Sequence, residues 1–320
     1  MNMIKTYCLL ALLSFLLSVL FCRILIPLLK RWKAGQNILS YVEEHKSKSG
    51  TPTMGGLAFI TAAVLSSALL LTTADRTTVV TLTVSVAYLV VGFLDDLLKK
   101  KHKENLGLKA WQKLLFQAFV AVFAGIYAYR AGVTSLHIPF FNQEWEIGAW
   151  IVPLAVFAFL STVNCVNLTD GLDGLAAGTG LPFFLFLGIT VVLQSGNASL
   201  AGVCFALCGA LCGYLLFNAP PASVFMGDTG SLALGGFASC IAVFSGNALY
   251  IPVIGLVFVL SGVSVILQVC YFKATGGKRI FLMSPVHHHF QQKGYSESRI
   301  SYAYAVATTC IGLLTVAVSI

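Results

Sequence analysis

Asp95, Asp96, Asp170, Asp173 and Asp228 stand at the ends of long apolar runs or in the short loops between them, in a chain of which only 10% is charged. Ionisable side chains at a membrane boundary are costly to keep there, so they point to chemistry. Carboxylates clustered without nearby thiols favour a hard cation. Mg²⁺ is typically held by one or two carboxylates and bridges to the phosphates of a substrate, so diphosphate chemistry follows.

The local patterns differ in specificity. Asp95 and Asp96 close the run Val90-Val-Gly-Phe-Leu-Asp-Asp-Leu-Leu-Lys-Lys. Neighbours on a helix diverge by roughly 100° around its axis, so one can face a cleft while the other binds elsewhere. Alone, the pair equally fits a solvated helix end balanced by Lys99 and Lys100. The stretch Asn164-Cys-Val-Asn-Leu-Thr-Asp-Gly-Leu-Asp-Gly-Leu is more telling. At helical spacing Asp170 and Asp173 share a face. The glycines after them let the backbone approach a ligand, and Asn164 and Asn167 offer donors and acceptors. A nucleotide or phosphate site fits, and the competing reading is a polar turn capped by Thr169 and the aspartates.

Asn218-Ala-Pro-Pro-Ala-Ser-Val-Phe-Met-Gly-Asp-Thr-Gly-Ser places Asp228 in a ligand-type loop. Phe225 and Met226 there either anchor the interface or stack on a planar base. In Lys278-Arg-Ile-Phe-Leu-Met-Ser-Pro-Val-His-His-His-Phe, three consecutive imidazoles cannot readily converge on one metal. Hydrogen bonds to an anion are favoured over a solvated loop or a helix start after Pro285. Lys46, Lys48, Thr51, Thr53, Gly55 and Gly56 form a basic, glycine-containing entrance to an apolar run.

The elements that must position these residues are membrane helices. Of 320 residues 58% are hydrophobic and the mean hydropathy is +0.86. The chain reads as an all-α, polytopic integral membrane protein forming one transmembrane catalytic domain over 1–320. Spans are expected at about 7–29, 54–72, 78–94, 113–131, 148–166, 178–194, 199–217, 230–247, 248–270 and 301–318, about ten helices in all. Of the 20 Lys and Arg, sixteen fall in Lys30 to Lys48, Lys99 to Lys113 and Lys273 to Arg299. Basic loops stay cytoplasmic, so both termini are expected outside the cytoplasm and all five aspartates on the cytoplasmic side. The first apolar run continues to Leu29 without a convincing cleavage site and reads as a retained helix.

The net charge of +8 is mostly this positive-inside bias, with a possible further pull on phosphate-bearing substrates and anionic lipid, and no nucleic-acid partner is expected. The nine cysteines lie mostly in apolar spans, so no structural disulfide is expected. Cys204, Cys208 and Cys212 share a helical face, but Gly202, Gly209 and Gly213 beside them favour close helix packing over a metal site.

Together Thr51-Pro-Thr-Met-Gly-Gly, Gly92-Phe-Leu-Asp-Asp, Asn167-Leu-Thr-Asp-Gly-Leu-Asp-Gly-Leu, Val224-Phe-Met-Gly-Asp-Thr-Gly-Ser and Ser284-Pro-Val-His-His-His-Phe resemble the phospho-N-acetylmuramoyl-pentapeptide transferase family. The resemblance covers essentially the whole chain. It implies transfer of phospho-MurNAc-pentapeptide from UDP-MurNAc-pentapeptide to undecaprenyl phosphate, giving lipid I and UMP with Mg²⁺, in the bacterial cytoplasmic (inner) membrane. It also implies a homodimer. By motif, Asp228 matches the Mg²⁺ ligand, and Asp95 and Asp96 match the base and phosphate-end carboxylates. Asn167, Asp170 and Phe225 match nucleotide contacts. Lys48, Thr53, Gly171, Leu172, Asp173 and Asn218 match further substrate-binding positions, as do His287, His288 and His289 with Lys99, Lys109 and Lys113. Two departures stand in the last loop, Gln291 where Glu is expected and Tyr295 where many relatives carry Trp.

The reaction so implied brings together two anions, a lipid phosphate and a UDP-sugar, which cations must keep from repelling. Direct attack assisted by Asp95 is the working mechanism, and a covalent aspartyl intermediate is its rival. Three other activities compete. A polyprenyl-phosphate N-acetylhexosamine-1-phosphate transferase shares the carboxylates, and an intramembrane prenyltransferase would release pyrophosphate. An ion-coupled transporter would use the aspartates nearer the bilayer midplane.

Overall fold

A computed structural model of the chain describes residues 3–32, 50–69, 76–101, 107–141 and 143–319. Apolar runs long enough to span a bilayer satisfy every backbone group internally by forming helices. The helices are α1 (Met3–Arg31), α2 (Gly56–Ser67), α3 (Arg76–Lys101), α4 (Ala110–Arg130), α5 (Ile151–Thr169), α6 (Leu175–Gln194) and α7 (Ala198–Asn218). They continue with α8 (Gly227–Phe244), α9 (Tyr250–Ile254), α10 (Leu256–Ala274), α11 (Val286–Gln292) and α12 (Glu297–Ser319). Among the described residues nine helices are long and apolar enough to cross a membrane.

Helix α8 is the axis of the bundle. It is buried along its length and packs against α2, α3 and α5, while α7 packs against α1 and α6, and α6 against α12. Small residues make this possible. A Cβ on Gly92 of α3 would collide with the backbone of Asp228 and Thr229, and one on Gly209 of α7 would collide with the backbone of Ala11 in α1. Gly209, beside Cys208, thus serves packing, and all nine cysteines are free. The outside is apolar, with Leu12, Leu16 and Leu20 on α1, Phe116, Phe119 and Phe123 on α4, and Leu260 and Ile266 on α10 all exposed. On a span such faces meet lipid.

Alternation of the helices gathers the ends of α1, α3, α5, α7 and α10 with the starts of α2, α4, α6, α8 and α12. Lys100 of α3 lies over the Trp32 ring just beyond α1, and the Asp173 amide after α5 donates to Glu297 of α12 at 3.2 Å. The start of α1 and the end of α12 lie at the opposite pole, where Tyr7 donates to the Ala198 carbonyl at 3.2 Å and Gln194 to the Ser319 carbonyl at 3.3 Å.

Of the expected second span, 54–72, the described residues hold the 12-residue helix α2, and 70–72 lie outside the described residues. Two expectations are corrected. The expected span 248–270 is two helices broken at Gly255, the residue type most costly in a helix interior after proline. The connection after α4 adds a feature on which no expectation was stated, an antiparallel hairpin of β1 (Ser135–His137) with β2 (Glu144–Glu146), in register Leu136 to Trp145. Finally, α5 ends at Thr169 and residues 170–174 form a turn, so Asp170 and Asp173 do not share a helical face.

Candidate active site

At the basic pole the last turns of α3 meet the first turn of α8, and three carboxylates from these two helices converge. Oxygen atoms of Asp95, Asp96 and Asp228 lie within 4.8 Å of one another, the one such cluster of potential metal ligands among the described residues. Asp95 and Asp96 are almost completely buried. As their angular separation predicts, they do different things. Asp96 faces the start of α8, where Oδ1 accepts from the Asp228 amide at 3.2 Å, and Oδ2 accepts from the Thr229 amide at 2.9 Å and the Thr229 hydroxyl at 2.6 Å. A carboxylate on the open amides of a helix N-terminus satisfies donors that lack intrahelical partners and complements the helix dipole. Asp95 takes other partners, accepting from the Leu108 amide at 2.7 Å and pairing with Lys99 at 2.6 Å.

Asp228 is held on three sides. Its carboxylate pairs with Lys113 from α4 and with Lys99 at 3.1 Å, and its Oδ1 accepts from Asn167 Nδ2 at 3.0 Å. The Asn167 amide also donates to Ser231 at 2.8 Å, which locks its orientation. Three carboxylates and two ammonium groups leave a net negative cluster beside the positive end of α8. An oxygen-only donor set of this kind suits a hard divalent cation, and the residues present fit one.

The remaining predicted residues have different tasks. Thr53 places its hydroxyl against Gly227. The segment before α2 is bridged to the loop before α8: the Phe225 amide donates to the Pro52 carbonyl at 2.8 Å, and the Gly55 amide to the Phe225 carbonyl at 2.8 Å. Phe225 is half-buried. Buried Asn218 closes its loop through a 2.9 Å bond to the Val224 carbonyl. Asp173 is a staple, its Oδ2 accepting from the Ala222 amide at 2.9 Å and its carbonyl from Ser301 at 3.0 Å. Leu172 packs beneath the turn with Leu175, Val257, Ile300 and Tyr304. Lys109 is exposed at the start of α4, outside the cluster, where its amide donates to Gln112. Lys48 lies outside the described residues.

The three histidines follow Pro285 on α11, so the helix-start reading holds, and their rings go to different neighbours. His287 is fully buried against Gly171, and neither ring nitrogen has a hydrogen-bond partner among the described residues. Burial, with His288 beside it, pushes its imidazole down to about 3, so it is neutral. His288 Nδ1 bonds Gln291 at 3.0 Å, and His289 Nδ1 accepts from the Leu282 amide at 3.1 Å. The loop before α11 is itself pinned by Gln268, which accepts from the Ile280 and Phe281 amides at 3.1 and 3.0 Å. Gln268, Thr229, Ser231, Ser301 and Glu297 were not singled out from sequence. Thr229 and Ser231 follow Asp228 directly and carried a usable signal, whereas Gln268 is one polar residue in a long apolar run.

Asp170, in the turn after α5, makes no side-chain hydrogen bond among the described residues. Burial, then the charges of Asp228, Asp96 and Asp173, raise it from the ordinary 3.8 to about 8. A carboxyl that holds its proton more tightly folded than unfolded favours the folded state at acid pH, and that contribution fades as pH rises between those values. Asp170→Asn is therefore expected to stabilise the metal-free protein by about 1–2 kcal/mol at pH 8 and by little at pH 4. Unfolding in detergent with chelator at both pH values checks this, and an equal effect at both would refute it.

Comparison with known proteins adds an independent line. The glycosyl transferase family 4 model matches residues 78–246, and the phospho-N-acetylmuramoyl-pentapeptide-transferase signature 1 matches residues 48–60. The phospho-N-acetylmuramoyl-pentapeptide-transferase of Clostridium novyi is 43% identical over 307 residues, covering 95% of this chain and 94% of the relative. That of Clostridium perfringens strain 13 is 45% identical over 296 residues, 92% of this chain and 93% of the relative. That of Clostridium kluyveri strain NBRC 12016 is 40% identical over 309 residues, 95% and 96% respectively.

Proposed function

The chain belongs to the phospho-N-acetylmuramoyl-pentapeptide-transferase family, and from that footing we propose that it transfers phospho-MurNAc-pentapeptide from UDP-MurNAc-pentapeptide to undecaprenyl phosphate, releasing UMP and leaving lipid I in the membrane. The observation that carries this reading is the convergence of Asp95, Asp96 and Asp228 with Lys99 and Lys113 at the basic pole of a membrane bundle. A water-soluble, highly charged donor and a hydrocarbon-tailed acceptor can meet only at such a boundary.

In this reading Asp228, with Asp95 and Asp96 beside it, would hold Mg²⁺, which would supply positive charge against the diphosphate and the departing UMP. Lys99 and Lys113 supply positive charge on the same side, lowering the repulsion between the two phosphorylated substrates. Asp95, the carboxylate not bonded to the amides of α8, orients or deprotonates the lipid phosphate for direct attack on the β-phosphorus. Asp96 acts by holding the first turn of α8 and so the position of Asp228. The turn Asp170 to Asp173, the Phe225 ring and neutral His287 frame the nucleotide, with His287 serving as a hydrogen-bonding group and not as a charge. The basic helix ends around the site favour a cytoplasmic orientation, with both termini across the membrane.

Purified protein given undecaprenyl phosphate and Mg²⁺ is expected to release UMP from UDP-MurNAc-pentapeptide and not from UDP-GlcNAc. Preference for UDP-GlcNAc would replace this activity with a hexosamine-1-phosphate transferase. Pyrophosphate release from a prenyl diphosphate would point to a prenyltransferase.

A further inference from the structure

Gln117 is fully buried in α4, a helix whose other faces are largely exposed and apolar. It lies one turn beyond Lys113, so the two side chains leave the same face of the helix. That face meets α5, where Asn164 and Asn167 are also one turn apart. Two rungs result: Lys113 donates to Asn167 Oδ1 at 3.4 Å, and Asn164 Nδ2 donates to Gln117 Oε1 at 2.7 Å. A second bond from the Asn164 amide, to the Leu160 carbonyl at 2.8 Å, sets which way that amide points. The main-chain carbonyl of Gln117 accepts the Tyr88 hydroxyl at 3.0 Å, and the Tyr88 ring lies against Gly236, so this turn of α4 is also tied to α3 and through it to α8.

Gln117 Nε2, by contrast, is buried with no hydrogen-bond partner among the described residues. An unpartnered buried amide donor lowers stability, and a methionine of similar length would remove that penalty. Stability alone therefore does not account for a glutamine at this position, whereas the acceptor it presents to Asn164 does. We infer that Gln117, through its bond to Asn164, is a positioning residue that fixes the height and rotation of α4 along α5 and so places the Lys113 ammonium on Asp228. Apolar contacts between α4 and α5 resist separation but hardly resist sliding, while a buried amide pair does. The inference rests on the proposed phosphoglycosyl transfer, since it assigns Gln117 a part in that reaction.

Gln117→Met tests it. Misplacing a group by about 1 Å can cost up to about 10²-fold, so kcat is expected to fall about 10-fold, with KM for the nucleotide substrate within about twofold and an unchanged melting temperature. Because Gln117 acts through Lys113, adding Gln117→Met to a Lys113→Met enzyme should change the residual single-turnover rate less than about twofold. Lys113→Arg takes the place of Lys113→Met if no turnover remains. If Gln117→Met fails to fold, Asn164→Ala breaks the same bond from the other side and must show the same non-additivity. Unaltered kcat in Gln117→Met, or effects that multiply fully with those at Lys113, would overturn the inference. Absence of turnover by the unaltered protein would instead overturn the proposed transfer.

Discussion

Asp228→Asn is expected to abolish UMP release, lowering the rate by about 10³-fold or more, while the protein remains folded and extractable. Asn keeps the shape and an oxygen able to face Asn167, so the packing around the start of α8 survives. What disappears is the charge on which Lys99, Lys113 and Asn167 all converge. Lys99 keeps Asp95 as a partner, and both ammonium groups retain some contact with solvent, so the loss of their shared anion is tolerable for folding. It is not tolerable for holding a divalent cation with the two remaining carboxylates, of which Asp96 is already committed to backbone amides. Near-normal turnover in this variant would remove the metal assignment.

Asp96→Ala is expected to damage the fold as much as the rate. The substitution strips the partner from the Asp228 amide, the Thr229 amide and the Thr229 hydroxyl at once, all within a buried helix start. Orphaned buried donors cost about 1–3 kcal/mol each, and the combined loss is placed at about 3–5 kcal/mol. Asp95→Ala, one residue away, deprives the Leu108 amide and the partly exposed Lys99 and removes a contact with Asp228, which Lys99, Lys113 and Asn167 still hold. It should therefore leave stability within about 1–2 kcal/mol while lowering turnover strongly. Unfolding of the two variants in detergent separates these outcomes, and equal destabilisation would show that the two carboxylates are not divided as described.

The divergence of Asp95 and Asp96 was legible in the sequence because it is a property of any helix, and the convergence of the acidic clusters at one pole was legible because charge bias orients helices without reference to their packing. The helical pairing of Asp170 with Asp173 failed for a local reason. The Asp-Gly-Leu-Asp-Gly stretch supplies two glycines in five residues, and Gly174 takes φ 72°, so the chain turns instead of continuing α5. Hydropathy measures transfer into lipid and not helix continuity, so it could not find the break at Gly255. The hairpin at Ser135–His137 was hidden because three-residue strands carry almost no periodicity. Gln117 was invisible for the opposite reason: its partner Asn164 lies 47 residues away, and only the packing of α4 on α5 joins them.

Mn²⁺ binding to the purified protein, followed by electron paramagnetic resonance without any substrate, tests the central claim most directly. One Mn²⁺ is expected to bind, to compete with Mg²⁺, and to be lost in Asp228→Asn while Gln117→Met retains it. Mn²⁺ bound with undiminished affinity after Asp228→Asn would contradict a metal centre built on these three carboxylates.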